Sequence, residues 1–200
     1  MKQAFIFLLT FILLAAPSGK AQKALKDELD HKLITFQKKL LTYKTFTLPT
    51  SVEGQTINLR EHVKGKKLVL VTYFAAWCEN SNHDYETIQH LLKKFGDNGL
   101  SVVGVCNYSE PKEVKEFITR HQPLYPIGLE SSDDKQRENT THYRYRKLCG
   151  DERKWGTPFT LLIEAKNIKA DGEMLAEEVW AANGELDRKE AEKLIKQLLP

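Results

Sequence analysis

The cysteine at position 78 lacks the partner that its surroundings call for, because the place three residues on is taken by Ser81. Only three cysteines occur in 200 residues, Cys78, Cys106 and Cys149, so at least one thiol stays unpaired within the chain. No two of them lie two to four residues apart and the six histidines are scattered, which leaves no spacing suited to a metal. Charge of one sign is also scarce. Residues 1–21 contain Lys2 and Lys20 and no acids, so their removal leaves 28 basic against 27 acidic side chains. A nearly neutral chain with lysines interleaved among glutamates shows no electrostatic footprint for nucleic acid or an anionic membrane. Internal repeats and low-complexity tracts are absent. No apolar run is long enough to cross a bilayer, since the longest, Ala4 to Ala16, is stopped by Pro17, Ser18 and Gly19. With Lys2 before it and small residues after it as far as Ala21, that run reads as a secretory signal peptide cleaved near Ala21. The expectation is an exported protein, periplasmic or secreted, with no stable membrane span after cleavage.

The mature length suits one domain with a modest appendage. From Lys23 to about Tyr43, Leu25, Leu29, Leu33, Ile34, Phe36, Leu40 and Leu41 recur at roughly helical intervals, which predicts an amphipathic helical extension over 22–45. Phe46 to Leu59 suggests a hairpin turning at Gly54. Leu68 to Phe74 is a continuous run rich in valine and aromatics, as expected of a strand covered on both faces. Helical spacing follows from Ser81 to Phe95, closed by Gly96 and Gly99. Next come a strand at Leu100 to Val105, a helix opened by Pro111 and running to His121, and a strand at Phe159 to Glu164. A further strand, Met174 to Ala181, precedes a final helix begun near Asp187. Between Ser131 and Trp155 a helix with a following loop is expected. Strands alternating with helices imply parallel pairs joined by crossovers.

Cys78 ends the central strand where a helix begins. Unpaired backbone N–H groups and the positive end of the helix dipole favour thiolate there, so Cys78 reads as a nucleophile. Trp77 forms an apolar platform beside it, and Ser81 is placed to donate a hydrogen bond to the thiolate. Gly156-Thr157-Pro158 leads directly into a strand, the position at which proline costs a sheet least.

These landmarks together resemble the thioredoxin superfamily, and most closely its exported TlpA/ResA-type thiol-disulfide oxidoreductases. The resemblance covers roughly Phe46 to Leu199. It rests on Phe46-Thr47-Leu48-Pro49, Gly54, Gly65-Lys66, Ala76-Trp77-Cys78-Glu79, Val102-Val103-Gly104-Val105 and Gly156-Thr157-Pro158. It implies a thioredoxin-like α/β fold over 46–200, a central mixed sheet flanked by helices, with the N-terminal helix and hairpin added. It implies a cis peptide bond before Pro158 in a loop that faces Cys78 and, with Trp77 and Thr157, presents backbone to an incoming peptide. Asp84 falls where such proteins often carry an acid that assists proton transfer, and it reads equally as a solvated first-turn aspartate favoured by the helix dipole. The family motif commonly runs Trp-Cys-Glu-Pro-Cys, so here Asn80 replaces the proline and Ser81 the resolving cysteine.

The expected activity is therefore thiol-disulfide exchange on protein thiols or disulfides through Cys78 alone, as a monothiol oxidoreductase or isomerase. It needs no cofactor, but it does need an external thiol reductant. Cys106, at the end of its strand, and Cys149, nine residues before Pro158, are candidate resolving thiols, a structural pair or plain free thiols. His83 and His90 read as solvated, and Trp155 as a candidate groove wall. Two other readings stand beside exchange. A redox-inactive thioredoxin-fold module would keep the groove for a protein partner. A thiol peroxidase would need Pro-x-x-x-Thr-x-x-Cys, but Ala75 stands three before Cys78 and Val71 seven before it.

Overall fold

The computed structural model describes residues 32–199. The expected signal peptide, and the expected helix as far as residue 31, lie outside the described residues. Among the described residues eight strands form: β1 Gln37–Lys44, β2 Thr47–Pro49, β3 Thr56–Asn58, β4 Leu68–Phe74, β5 Leu100–Cys106, β6 Ile127–Leu129, β7 Phe159–Glu164 and β8 Met174–Ala182. The helices are α1 Leu59–His62, α2 Glu79–Phe95, α3 Pro111–His121, α4 Thr141–Leu148 and α5 Arg188–Leu198, with a 3-10 turn at Asp134–Asn139.

The main sheet runs β1-β8-β7-β4-β5-β6, and β2 with β3 make a separate hairpin. β4 pairs in parallel with β5, and β5 with β6. β7 runs antiparallel to β4, and β8 to β7. The sheet is thus mixed, as expected, and the alternation of strand and helix signals parallel pairing only for the β4–β5–β6 half. Residues 37–44 correct the sequence reading: they form the edge strand β1, antiparallel to β8, and are not helical. Leu41 and Tyr43 are buried while Leu40 is 88% exposed, a period of two that the helical count had absorbed.

Every residue of β4, β5 and β7 is buried. Leu68, Leu70 and Phe74 pack with Ile88, Leu91, Phe95, Phe117 and Ile195 on the face covered by α2, α3 and α5. Val69, Val71 and Tyr73 pack with Tyr43, Tyr145 and Phe159 on the other face. Local signals stop and start the helices as the sequence suggests. Pro111 opens α3 inside a Glu110/Glu113 capping box, and the Asp187 carboxylate caps α5 through the Lys189 and Glu190 N–H groups. Gly99, at φ +109°, ends the turn after α2, where an added Cβ would lie 2.9 Å from the Lys67 side chain.

Candidate functional site

Cys78 is the N-cap of α2 and half-buried. As a thiol it donates from Sγ to the Thr157 carbonyl at 3.7 Å, and the Thr157–Pro158 peptide bond is cis. The two landmarks that sequence places 79 residues apart therefore meet at the ends of β4 and β7, two neighbouring strands. Asn82 secures the turn that carries the thiol. Its Nδ2 donates to the Cys78 carbonyl at 2.8 Å and to that of Ala76 at 3.3 Å, while its Oδ1 accepts from His121 Nε2 at 2.6 Å. The next loop braces it from behind, with Ala76 N–H donating to Ser109 Oγ at 2.9 Å and Asn107 N–H to the Phe74 carbonyl at 2.8 Å.

Ser81 is 3% exposed and its Oγ is buried with no hydrogen-bond partner, so the bond to Cys78 that the sequence allowed is not formed. Asp84, one turn further, is also 3% exposed. Its Oδ1 accepts from Leu186 N–H at 2.7 Å and its Oδ2 has no partner. Burial pushes its carboxyl up to about 7, against the Leu186 hydrogen bond and with help from the charge of Glu185. Thr157 Oγ1 is buried without a partner as well.

Trp77 and Trp155 meet edge to face at 5.4 Å, and Trp77 is 41% exposed, so the pair forms an aromatic rim beside the thiol. A chain of hydrogen bonds ties the two walls of the cleft behind that rim. Trp77 Nε1–H donates to the Tyr108 carbonyl at 2.7 Å, Tyr108 O–H to His142 Nδ1 at 2.8 Å, and His142 Nε2–H to the Gly156 carbonyl at 3.3 Å. Burial and the nearby Arg146 charge lower the His142 imidazole to about 3, which keeps it neutral and able to accept and donate at once. Tyr108 holds φ +57°, an uncommon conformation for a side chain with a Cβ, in order to serve both directions.

The proline loop is organised by two buried ions, Arg146 and Asp151, and the exposed Arg153. Arg146, whose side chain is fully buried, donates to the carbonyls of Arg153 at 2.7 Å, Lys154 at 3.1 Å and Asp151 at 3.4 Å. Arg153 forks onto the Asp151 carboxylate at 2.9 and 2.7 Å, and donates to the carbonyls of Gly156 at 3.0 Å and Pro158 at 3.1 Å. Burial works to raise the Asp151 carboxyl, but its bonds to Arg153 outweigh this and hold it below the usual carboxylate range. Gly156, at φ +71°, leaves room for Arg146, since an added Cβ would lie 2.4 Å from Arg146 Cδ.

Sequence reading missed Asn82, His142, Arg146, Asp151 and Arg153. A signal existed for two of them. His142, Tyr145, Arg146 and Cys149 stand at i, i+3, i+4 and i+7 and are all buried, a helical stripe whose polar members hide it from a hydrophobicity count. The remaining cysteines are free. Cys106 belongs to the core on the α2 side and Cys149 to the core on the opposite face, so the structural pair between them is not formed. Burial pushes the Cys106 thiol up to about 11, opposed by bonds to Ser109 and to the Ala76 and Asn107 backbone, and raises that of Cys149. Of the two histidines read as solvated, His90 meets Glu192 at 2.5 Å and His83 lies 3.9 Å from Glu185. Among the described residues no group of histidine, cysteine or carboxylate side chains is arranged to hold a metal, and no helix is long and apolar enough to cross a membrane.

Residues 42–170 match the AhpC/TSA family. No curated protein matches the chain. Among solved structures, a thiol:disulfide interchange protein of the thioredoxin family from Chlorobium tepidum aligns at a TM-score of 0.55 and 18% identity, over 81% of this chain and 98% of that one. The thioredoxin domain of a thiol-disulfide oxidoreductase from Bacteroides vulgatus aligns at 0.55 and 18%, over 84% and 100%. A secreted disulfide oxidoreductase from Mycobacterium tuberculosis aligns at 0.50 and 11%, over 76% and 95%. At these identities the likeness establishes the thioredoxin-like fold.

Proposed function

The chain belongs to the AhpC/TSA family, and from that premise we propose that it carries out thiol-disulfide exchange on protein substrates through Cys78 as its single nucleophile, in the manner of the TlpA/ResA type. The observation that carries this reading is the contact between Cys78 Sγ, at the N-cap of α2, and the Thr157 carbonyl beside the cis proline. In the proposed reaction the Cys78 thiolate attacks one sulfur of a substrate disulfide. The S–S electron pair leaves with the other sulfur, which takes a proton, and a Cys78–substrate mixed disulfide remains. An external thiol then attacks that bond, is itself oxidised into a new disulfide, and returns Cys78. Trp77, Thr157 and Pro158 position the substrate backbone, and Asp84 is the proton carrier. Ser81 fills the place of a resolving thiol without its chemistry, because an alcohol cannot displace a thiolate from a disulfide. The structural neighbours include a thiol-disulfide oxidoreductase, a thiol:disulfide interchange protein and a secreted disulfide oxidoreductase, which supports both the chemistry and an exported location.

The test follows the mixed disulfide itself. Incubation with a disulfide-bonded peptide should place a peptide adduct on Cys78 by intact mass, with Cys78→Ser as the blank. In Ser81→Cys the adduct's lifetime should shorten at least about tenfold, because a local thiol now resolves it. A folded protein that forms no adduct would instead be a binding module. A Cys78 that ignores disulfides but is rapidly oxidised by hydrogen peroxide would be a peroxidase.

A further inference from the structure

Resting on that exchange reading, the rim beside Cys78 carries a second kind of information. Trp155 meets Trp77 edge to face at 5.4 Å and lies tilted against Tyr108 at 6.0 Å, and it holds two cations over its ring, Arg137 at 5.4 Å and Lys154 at 5.2 Å. Lys154 is exposed, and among the described residues no carboxylate lies within ion-pair distance of it. Arg137 has one loose carboxylate, Glu138 at 3.6 Å, itself 64% exposed, and its Nε is buried with no acceptor. Of the carboxylates nearest Lys154 in the chain, Asp151 is held by Arg153 and Arg146, and Glu152 by Lys147 at 2.6 Å. Across the cleft, the first turn of α2 presents the acid Glu79. The proline wall therefore keeps surplus positive charge, fixed in direction by an aromatic ring, and the thiol wall does not.

We propose that this wall selects its substrates: the preferred disulfide carries a carboxylate on the side of its reacting cysteine that lies along Trp155, with Lys154 and Arg137 as its specificity residues. An acidic side chain of a peptide and the carboxylates of a small acidic thiol such as glutathione share this chemistry. In either case Cys78 bonds to the sulfur of the acidic partner, and the other sulfur departs with the S–S electron pair and takes a proton as in the exchange above.

The experiment uses short peptides whose only cysteine is activated as a 2-pyridyl disulfide, an uncharged leaving group, with Asp, Asn or Lys beside the cysteine. Release of pyridine-2-thione reports the rate. The Asp peptide should react about threefold to tenfold faster than the Asn peptide, the size that two partly exposed ion pairs supply, and the Lys peptide slowest. That order should narrow in high salt and collapse towards equality in the Lys154→Gln, Arg137→Gln double variant, with folding checked by circular dichroism. Glutathionyl pyridyl disulfide forms a parallel arm. A rate above that of the Asp peptide assigns the carboxylate to a small thiol, and a rate below it assigns the carboxylate to a peptide. Equal rates for all three peptides at low salt would overturn the selection while leaving exchange standing. A folded protein that reacts with none of them would overturn both.

Discussion

The two walls of the cleft are built by different physics. The thiol wall, β4 into α2, is set by backbone: a fully buried strand, a helix start, and an Asn82 clamp on two carbonyls. The proline wall, from α4 to β7, is set by side chains, with Arg146 and Arg153 together occupying the carbonyls of residues 151, 153, 154, 156 and 158. A loop without regular structure has no ladder in which to place its buried carbonyls, so guanidinium groups take the place of the missing partners. A wall of the first kind tolerates the loss of its reactive side chain. One of the second kind does not tolerate the loss of its organiser.

Opposite substitutions break this comparison most sharply. Cys78→Ser should reduce exchange to the uncatalysed rate while moving stability by less than about 1 kcal/mol, since the Cys78 side chain makes no capping hydrogen bond to the helix and only a 3.7 Å contact with the Thr157 carbonyl. Arg146→Met should do the reverse. It removes a fully buried cation that serves three carbonyls and the Asp151 carboxylate at 3.9 Å, and should lower stability by about 3–5 kcal/mol in urea titration. Exchange would then be lost only as far as the proline loop melts. An unchanged urea midpoint for Arg146→Met would mean that the loop stands without its ions, and the contrast between the walls would disappear.

Each wall also has a buried titrating group, and the two respond to pH in opposite directions. Asp84, raised from 3.8 to about 7, keeps a proton in the folded protein that the unfolded chain releases, so stability falls as pH rises between about 4 and 7 and is level above. Asp84→Asn keeps an oxygen for Leu186 N–H and should remove that slope, gaining a few kcal/mol at pH 7 by denaturant titration across pH. His142, lowered from 6.5 to about 3, refuses a proton that the unfolded chain accepts, so its contribution is lost as pH falls from about 6.5 towards 3. A slope in Asp84→Asn between pH 5 and 7 equal to that of the parent would show that the carboxyl is not the group that titrates.

How well the sequence could be read follows the same division. Periodicity and caps are backbone signals, and they located β4, α2, β5, α3, β7, β8 and α5, together with Cys78 at its helix start. Resemblance supplied the meeting of Cys78 with the Thr157–Pro158 loop, which no local pattern contains because the contact is made through tertiary packing. β1 was misread because Leu33, Ile34, Phe36, Leu40 and Leu41 satisfy a helical count, while only the partner strand β8 decides that Leu41 and Tyr43 face inward. β6, three residues long and flanked by Pro126, was too short to carry a period. The proline wall was illegible for a sharper reason: in sequence its organisers Arg146, Asp151 and Arg153 look like solvated charges, and only their carbonyl partners distinguish them.

The smallest expected effect concerns the two remaining thiols. Cys106 follows Val102 and Leu100 on the α2 side of β5, while Cys149 lies against Tyr43 and Tyr145 on the far side of the sheet. A resolving thiol must reach the mixed disulfide as a thiolate. With its thiol pushed up to about 11, Cys106 holds only about one part in ten thousand in that form at pH 7. Cys149 is separated from the Cys106 face by the strands themselves. Cys106→Ala and Cys149→Ala should therefore leave the lifetime of the Cys78–peptide adduct within about twofold of the parent, at a stability cost of about 1 kcal/mol for each small cavity. A lifetime that lengthens severalfold in Cys106→Ala would mean that the loop 75–78 opens far enough to admit a buried thiol. The thiol wall would then be the mobile one, and the proline wall, with its ions, the fixed reference against which it moves.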